Sequence, residues 1–208
     1  MIIGIAGRIG SGKDTVGEII QELCLSNHGP VFEVKKFAGK LKQIASLLTG
    51  IPVEDFEDQE FKKSYLGAEW GTVESNPLNA VPVFENIEFN HLMSVRELLQ
   101  KLGTEAIRDG LHPNAWVNAL MCEYKRPKMS EYNPSNWIIT DVRFPNELEA
   151  VEDVKGLTLK VVRPVEKSKT PARLHPSETS LDKAEFDYEI INDGSIKDLI
   201  EKVRIILI

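Results

Sequence analysis

Residues 1–16, MIIGIAGRIGSGKDTV, decide how this chain folds. Ile2 to Ala6 is a short, apolar, β-branched run of the kind that forms a buried parallel strand. Gly7-Arg8-Ile9-Gly10-Ser11-Gly12-Lys13 follows at once, and a helical pattern starts directly behind it. Strand, glycine-rich loop and helix in that order make a phosphate-binding loop. There, successive backbone N–H groups converge on phosphate oxygens, Lys13 reaches the β- and γ-phosphates, and the helix N-terminus adds a favourable dipole. Glycines at 7, 10 and 12 allow the close backbone approach and positive φ such a loop needs. Asp14 stands where the usual pattern has a Mg²⁺-binding hydroxyl, with Thr15 just behind. A carboxylate is also a hard oxygen ligand, so Asp14 and Thr15 are both metal candidates. A glycine-rich turn that binds nothing is the competing reading. The strand before it and the helix after it favour a nucleoside triphosphate.

A length of 208 residues suits one α/β domain with room for an inserted subdomain. Hydrophobic content of 42% and charged content of 27% are those of an ordinary globular protein. The net charge of −7 argues against a nucleic-acid polymer or an anionic membrane as partner. Phosphates are then handled in a local basic pocket. Cys24 and Cys122 both lie in apolar helical patterns without metal-site spacing, and read as reduced core residues of a cytoplasmic protein. No apolar run reaches the ~18 residues of a membrane span, and MIIGIA lacks the basic start of a signal peptide.

Behind the loop, Val16, Ile19, Ile20, Leu23 and Cys24 keep the spacing of a helix buried on one face. Val31 to Phe37 alternates as a second strand, and Ala38 to Leu48 reads as a helix with Leu41, Ile44, Ala45 and Leu48 inward. Lys35, Lys36, Lys40 and Lys42 cluster at that junction, as a solvated basic face or as contacts to an acceptor phosphate. Residues 50–92 are irregular; a short helix near 53–65 and a lobe carrying Trp70, Phe84 and Phe89 are expected. Ser94 then caps a helix with Val95, Leu98, Leu99, Leu102 and Ala106 inward, and Glu97 completes a capping box. Arg96 and Arg108 lie off that stripe, as surface charges or as a planar fork for phosphate oxygens. Asn114 to Tyr124 resumes as a helix with Trp116, Ala119 and Leu120 inward.

Trp137 to Thr140 is a buried strand ending in Asp141, with Arg143 two residues on. An apolar strand finishing in Asp beside a phosphate loop supplies a carboxylate for Mg²⁺ or its water shell. Open α/β sheets bind their ligands at that C-terminal end. A simple helix or turn cap is the competing reading for Asp141. Pro145 opens the next helix, with Leu148, Val151 and Val154 inward, and Leu157 to Arg163 is the fourth strand. Pro164 to Ser180 is basic and proline-broken, in the place where P-loop kinases keep a lid, and its Arg173 suits charge neutralisation on a transferring phosphoryl group. Tyr188 to Ile191 is the last strand. The turn Asn192-Asp193-Gly194 leads to a Ser195/Asp198 capping box and a helix with Ile196, Leu199, Ile200, Val203 and Leu207 inward. Five apolar strands alternating with helices predict a parallel sheet covered on both faces.

Several segments together resemble the bacteriophage-type deoxynucleoside monophosphate kinases: SGKDT (11–15), KFAGKLK (36–42), SVRELLQKLGTEAIR (94–108) with Trp116, ITDVRFPNE (139–147), HPSE (175–178) and NDGSI (192–196). The resemblance runs nearly end to end, weakest over 50–92 and 125–135. It implies a three-layer P-loop NTPase fold over 1–208, with a five-stranded parallel sheet. A helical, acceptor-binding insertion at 50–125 and a lid at 164–180 complete it. It implies transfer of the γ-phosphoryl of ATP to a deoxynucleoside 5′-monophosphate with Mg²⁺. Gly7, Gly10, Ser11, Gly12, Lys13, Asp14 and Thr15 would then bind the ATP phosphates, with Asn192 and Gly194 near the base. Asp14, Thr15 and Asp141 would manage the metal. Lys36, Phe37, Arg96, Arg108, Trp116, Arg143 and Glu178 would meet the acceptor, and Lys13, Asp141, Arg143 and Arg173 would act on the transferred group. A kinase for another phosphomonoester, such as phosphomevalonate, is the alternative. A nucleotide-binding regulator with slow hydrolysis is a more distant one. A homodimer stays open.

Overall fold

The computed structural model describes residues 1–71, 92–125, 136–164 and 179–207. Phe84, Phe89, Arg173, Glu178 and the lid expected over 164–180, apart from Pro164, Thr179 and Ser180, lie outside them. The chain forms two compact units, one of Met1–Gly39 with Trp116–Ile208 and one of Lys40–Ala115.

The first unit is built on strands β1 (Ile2–Ala6), β2 (Phe32–Lys35), β3 (Asn136–Val142), β4 (Leu157–Val162) and β5 (Tyr188–Ile191). They form one sheet in the order β2-β3-β1-β4-β5, every pairing parallel, with Ile3 of β1 opposite Ile138 on one side and Leu157 on the other. Burial follows this order. The central strand IIGIA is buried at all five positions, whereas edge strand β5 buries only Ile190. A strand covered on both faces and paired at both edges has no side left for polar residues.

Helices α1 (Lys13–Ser26) and α6 (Ile196–Leu207) cover one face. Val16, Ile19, Ile20, Leu199 and Val203 pack there on Ile3, Ile5, Ile138, Leu159 and Val161. Helices α4 (Ala115–Lys125) and α5 (Pro145–Glu152) cover the other, where Val117, Leu120, Leu148 and Val151 meet Ile2, Trp137, Ile139 and Val142. This is the expected three-layer α/β architecture with a five-stranded parallel sheet. From β1 the chain runs to edge strand β2, returns through β3, then crosses to β4 beyond β1. Connections diverging at β1 leave a crevice at its C-terminal end.

Helix α2 (Ala38–Thr49) follows β2 and carries the chain into the second unit. Its buried positions are Lys42 and Ala45, while Leu48 is 54% exposed and Leu47 86%. Of the expected inward stripe Ala45 is buried and Leu41 and Ile44 are half-buried, but Leu48 is not, and Lys42, whose ammonium pairs with Glu57, is buried. Two short 3₁₀ helices, Val53–Glu57 and Phe61–Lys63, stand where one short helix was expected near 53–65, and a third, Ala68–Trp70, follows. Residues 64–66 are tied to 93–95 through Leu66 N–H to Met93 O (2.9 Å) and Val95 N–H to Ser64 O (3.0 Å). Ala45, Phe56, Leu66, Val95 and Leu98 form the core of this unit, with Trp70 against it.

Ser94 Oγ caps α3 (Val95–Gln100) by accepting the Glu97 N–H at 3.2 Å. The helix then continues in π form over Lys101–Asp109, and Gly110 N–H reaches Glu105 O. Bonding from i to i+5 widens the turn and breaks the 3.6-residue spacing. Ala106, expected inward, is therefore exposed, and Gly103 is buried instead. A Cβ on Gly103 would stand 2.8 Å from Leu41 Cδ2.

Three smaller expectations also change. Cys122 is exposed and Cys24 half-buried, so neither is a closed core residue. Ile196, at the first turn of α6, is 55% exposed. No helix among the described residues is long and apolar enough to cross a membrane.

Candidate active site

The loop after β1 is held from outside by its carbonyl groups. Ser11 N–H donates to Arg8 O at 3.1 Å, Arg163 Nη1 to Gly10 O at 3.3 Å, and Asn192 Nδ2 to Ser11 O at 2.8 Å. The loop leads straight into α1, and the first N–H groups of a helix have no intrahelical partner and suit an anion. Gly12 is the N-cap of α1 at φ 96°, and no side chain caps that helix. A Cβ there would lie 2.5 Å from Asn192 Nδ2, so only glycine fits both the left-handed backbone and the space. Lys13 opens α1, is 7% exposed, and its Nζ lies 3.5 Å from Arg8 O. Ser11 Oγ is buried and takes no hydrogen-bond partner among the described residues. An uncapped helix start, a buried ammonium and an orphaned hydroxyl together form a seat for an anion.

Two carboxylates flank this seat. Asp14 Oδ1 accepts Thr140 Oγ1–H at 2.7 Å and lies 3.5 Å from Lys36 Nζ. Burial pushes the Asp14 pKa up, but the Thr140 bond and the Lys36 and Lys13 charges prevail and hold it below the ordinary carboxylate value. Asp141, at the C-terminal end of β3, is 8% exposed. Its Oδ1 accepts Phe37 N–H at 2.8 Å and its Oδ2 accepts Ala38 N–H at 2.9 Å, at the start of α2. Burial raises its pKa against the pull of those two bonds and of Arg143 and Lys36. Asp141 therefore caps a helix start, and its position at the strand end puts it in the crevice as well.

No cluster of three His, Cys, Asp or Glu side chains exists among the described residues. The donor set here is a few hard oxygens: the exposed Asp14 carboxylate, Thr15 in the first turn of α1, and Asp141, whose oxygens already accept N–H bonds. That set fits Mg²⁺, which keeps several waters and is bound through one or two carboxylates plus substrate phosphates. Asp141 suits a water-mediated role, Asp14 a direct one.

Beside the loop lies a cavity of about 350 Å³, whose charged lining is Arg8, Arg143, Lys160, Arg163 and Asp182. Arg8 Nη2 bonds Asp182 Oδ2 at 2.9 Å. Four cations against one carboxylate, on a chain of net charge −7, mark this wall as a place for anions.

The first unit thus brings together Gly7, Gly10, Ser11, Gly12, Lys13, Asp14, Thr15, Lys36, Asp141, Arg143 and Asn192. Gly194 is exposed in the turn after β5. Phe37 and Trp116, expected at the acceptor, are 2% and 6% exposed. The Phe37 ring packs in the core while its N–H holds Asp141. In the second unit, exposed Arg96 donates to Gln59 Oε1 at 3.5 Å, and Arg108 is half-buried near the end of the π-helix. Sequence reasoning missed Thr140, Lys160, Arg163, Arg8 and Asp182. Arg163 had a usable signal, because it follows an apolar strand as Arg143 does.

The deoxynucleotide monophosphate kinase family model matches residues 53–203. A deoxynucleoside-5′-monophosphate kinase of Escherichia phage T5 is 26% identical over 232 aligned residues, covering 92% of this chain and 89% of that one. A deoxynucleotide monophosphate kinase of Enterobacteria phage T4 is 33% identical over 122, covering 59% of this chain and 48% of its own. Among solved structures, dephospho-CoA kinase from Campylobacter jejuni aligns over 99% of this chain and 94% of that one, at 14% identity and a TM-score of 0.48.

Proposed function

Since the chain belongs to the deoxynucleotide monophosphate kinase family, we propose that it transfers the γ-phosphoryl group of ATP to a deoxynucleoside 5′-monophosphate. The products are ADP and the deoxynucleoside diphosphate. The observation that carries this reading is the anion seat of the first unit: Lys13 buried at an uncapped helix start, beside Asp14 and Asp141.

Phosphoryl transfer asks for positioning and charge neutralisation rather than for an enzyme nucleophile. Loop N–H groups and Lys13 hold the β- and γ-phosphates of ATP. Asp14, Thr15 and Asp141 would hold Mg²⁺, which would supply neutralising charge on the polyphosphate. The acceptor phosphate is largely ionised at neutral pH, so no general base is needed. Arg143 lines the cationic cavity and meets the transferred group from the end of β3. Arg96 and Arg108 serve the acceptor, a role that rests on the 94–108 resemblance. Arg163 and Arg8 join them as anion contacts, on the strength of their place in the cavity wall. Asn192 fixes the loop through the Ser11 carbonyl, and its place near the base rests on the 192–196 resemblance.

An acceptor panel tests the reading: ADP release from ATP with dTMP, dGMP, dCMP, dAMP and phosphomevalonate, each against a blank without acceptor. Fast release with one or more deoxynucleotides and none with phosphomevalonate is the expected pattern. Slow release indifferent to acceptor would overturn it in favour of a nucleotide-binding regulator.

A further inference from the structure

Lys36, between β2 and α2, lies outside the phosphate loop, yet its ammonium stands against the Asp14 carboxylate. Its ammonium is 3.5 Å from Asp14 Oδ1, and the same oxygen is fixed from the other side by the Thr140 hydroxyl at 2.7 Å. Its charge also acts on Asp141, whose two oxygens are held by the N–H groups of Phe37 and Ala38, the residues that follow Lys36. Two carboxylates gathered at one end of a parallel sheet repel each other unless a cation lies near both. In this chain the cations are covalently supplied, Lys36 at Asp14 and Arg143, ahead of Lys36, at Asp141. With side-chain exposures of 31% for Lys36 and 58% for Asp14, the pair is accessible enough to exchange. Like a surface pair it holds weakly.

We infer that Lys36 is the built-in counter-ion of the metal position: in the nucleotide-free protein its ammonium balances Asp14, and a divalent cation gains Asp14 only by displacing it. The inference rests on Asp14 being a metal ligand. It explains how the site tolerates a carboxylate where a neutral hydroxyl is usual. Without Lys36, two acidic side chains would collect free divalent cation ahead of the nucleotide. With Lys36, the cation is favoured only when polyphosphate oxygens arrive as additional ligands.

The test is Mn²⁺ binding to nucleotide-free protein, with free Mn²⁺ read by electron paramagnetic resonance at fixed ionic strength. Removing a positive charge at this distance should tighten Mn²⁺ binding by about tenfold in Lys36→Met. Lys36→Gln is the second variant, and thermal unfolding verifies that both are folded. Lys36→Arg, which keeps the charge, should bind as weakly as wild type. Adding Asp14→Asn to Lys36→Met should abolish the gain. Folded Met and Gln variants that bind Mn²⁺ no better than wild type overturn the inference, as does a gain that survives Asp14→Asn. The metal assignment is read separately, from Asp14→Asn alone with ATP present. Unchanged Mn²⁺ affinity there removes Asp14 from the site, whatever Lys36 does.

Discussion

In the unit formed by Met1–Gly39 and Trp116–Ile208, the groups of the site are held largely by main chain or by buried side chains. Asp141 takes two backbone N–H groups, Asn192 grips a loop carbonyl, and Thr140 fixes Asp14. In Lys40–Ala115 the candidate residues are held differently. Arg96 reaches Gln59 at 3.5 Å from an exposed position, and the helix carrying Arg108 is a π-helix. The first unit presents a preorganised anion seat on a parallel sheet. The second has short single turns around a small core of its own. Preorganised dipoles need no rearrangement when charge develops, which is why such sites are effective in phosphoryl transfer. Substitutions in the two units should accordingly differ in what they damage: chemistry in the first, stability or acceptor affinity in the second.

The sharpest test is Lys13→Met. Loss of a buried ammonium at the phosphates should lower kcat/KM by about a thousandfold or more, judged by what electrostatic stabilisation is worth in comparable sites. The thermal midpoint should barely move, because the methionine stem replaces the lysine stem. Turnover within tenfold of wild type would mean that the loop does not bind the transferred phosphoryl group.

Asp141→Asn comes next, and it separates two roles of one side chain. Asparagine offers one acceptor oxygen where the carboxylate now serves Phe37 and Ala38, so one buried N–H loses its partner. That costs about 1–3 kcal/mol of stability, measurable by urea unfolding. Turnover per folded molecule should fall as well, by about a hundredfold or more. Loss of stability with turnover intact would reduce Asp141 to a helix cap.

The same residue shows how far the sequence could be read. The strand ending in Asp is plain from the apolar run and its place after a phosphate loop. The five strands, their alternation with helices and the loop itself follow from hydrophobic period and glycine spacing. What could not be read is which neighbours satisfy each oxygen, because Phe37 and Ala38 lie 104 and 103 residues away in sequence. The π-helix was hidden for a related reason. No local pattern marks its i to i+5 bonds, and the close approach of Gly103 to Leu41 is a contact between residues far apart in sequence. The Lys42 position failed because burial of a charge depends on one distant partner, here Glu57.

Lys42→Ala probes the second unit in the opposite sense. The Lys42 side chain is 9% exposed and its partner Glu57 50%. Glu57 rehydrates when the ammonium is removed, so the loss is nearer that of a surface pair than of a buried one, about 1–2 kcal/mol. Urea unfolding should register it, while kcat per folded molecule stays within twofold. A large fall in kcat with unchanged stability would move Lys42 from scaffold to site.

The smallest effect is expected at Ser195, in a helix start built opposite to that of α1. Where Gly12 leaves α1 uncapped for an anion, Ser195 and Asp198 close α6 on itself. Ser195 Oγ accepts Asp198 N–H at 3.3 Å, while Ser195 N–H and Oγ–H both donate to Asp198 Oδ2 at 2.8 Å. The Ser195 hydroxyl first, and its N–H second, hold the Asp198 carboxyl below its ordinary pKa. A carboxylate with a lowered folded-state pKa adds stability above its unfolded value near 4, and that stability is lost as pH falls through the folded value. Ser195→Ala should therefore lower the thermal midpoint slightly at pH 7. The gap to wild type should narrow as pH drops below about 4, where the charged acceptor disappears from both proteins. A gap that stays constant down to acid pH would show that only the uncharged Ser195 to Asp198 N–H bond matters. A vanishing gap would show that the carboxylate carries the cap, the arrangement that α1 omits.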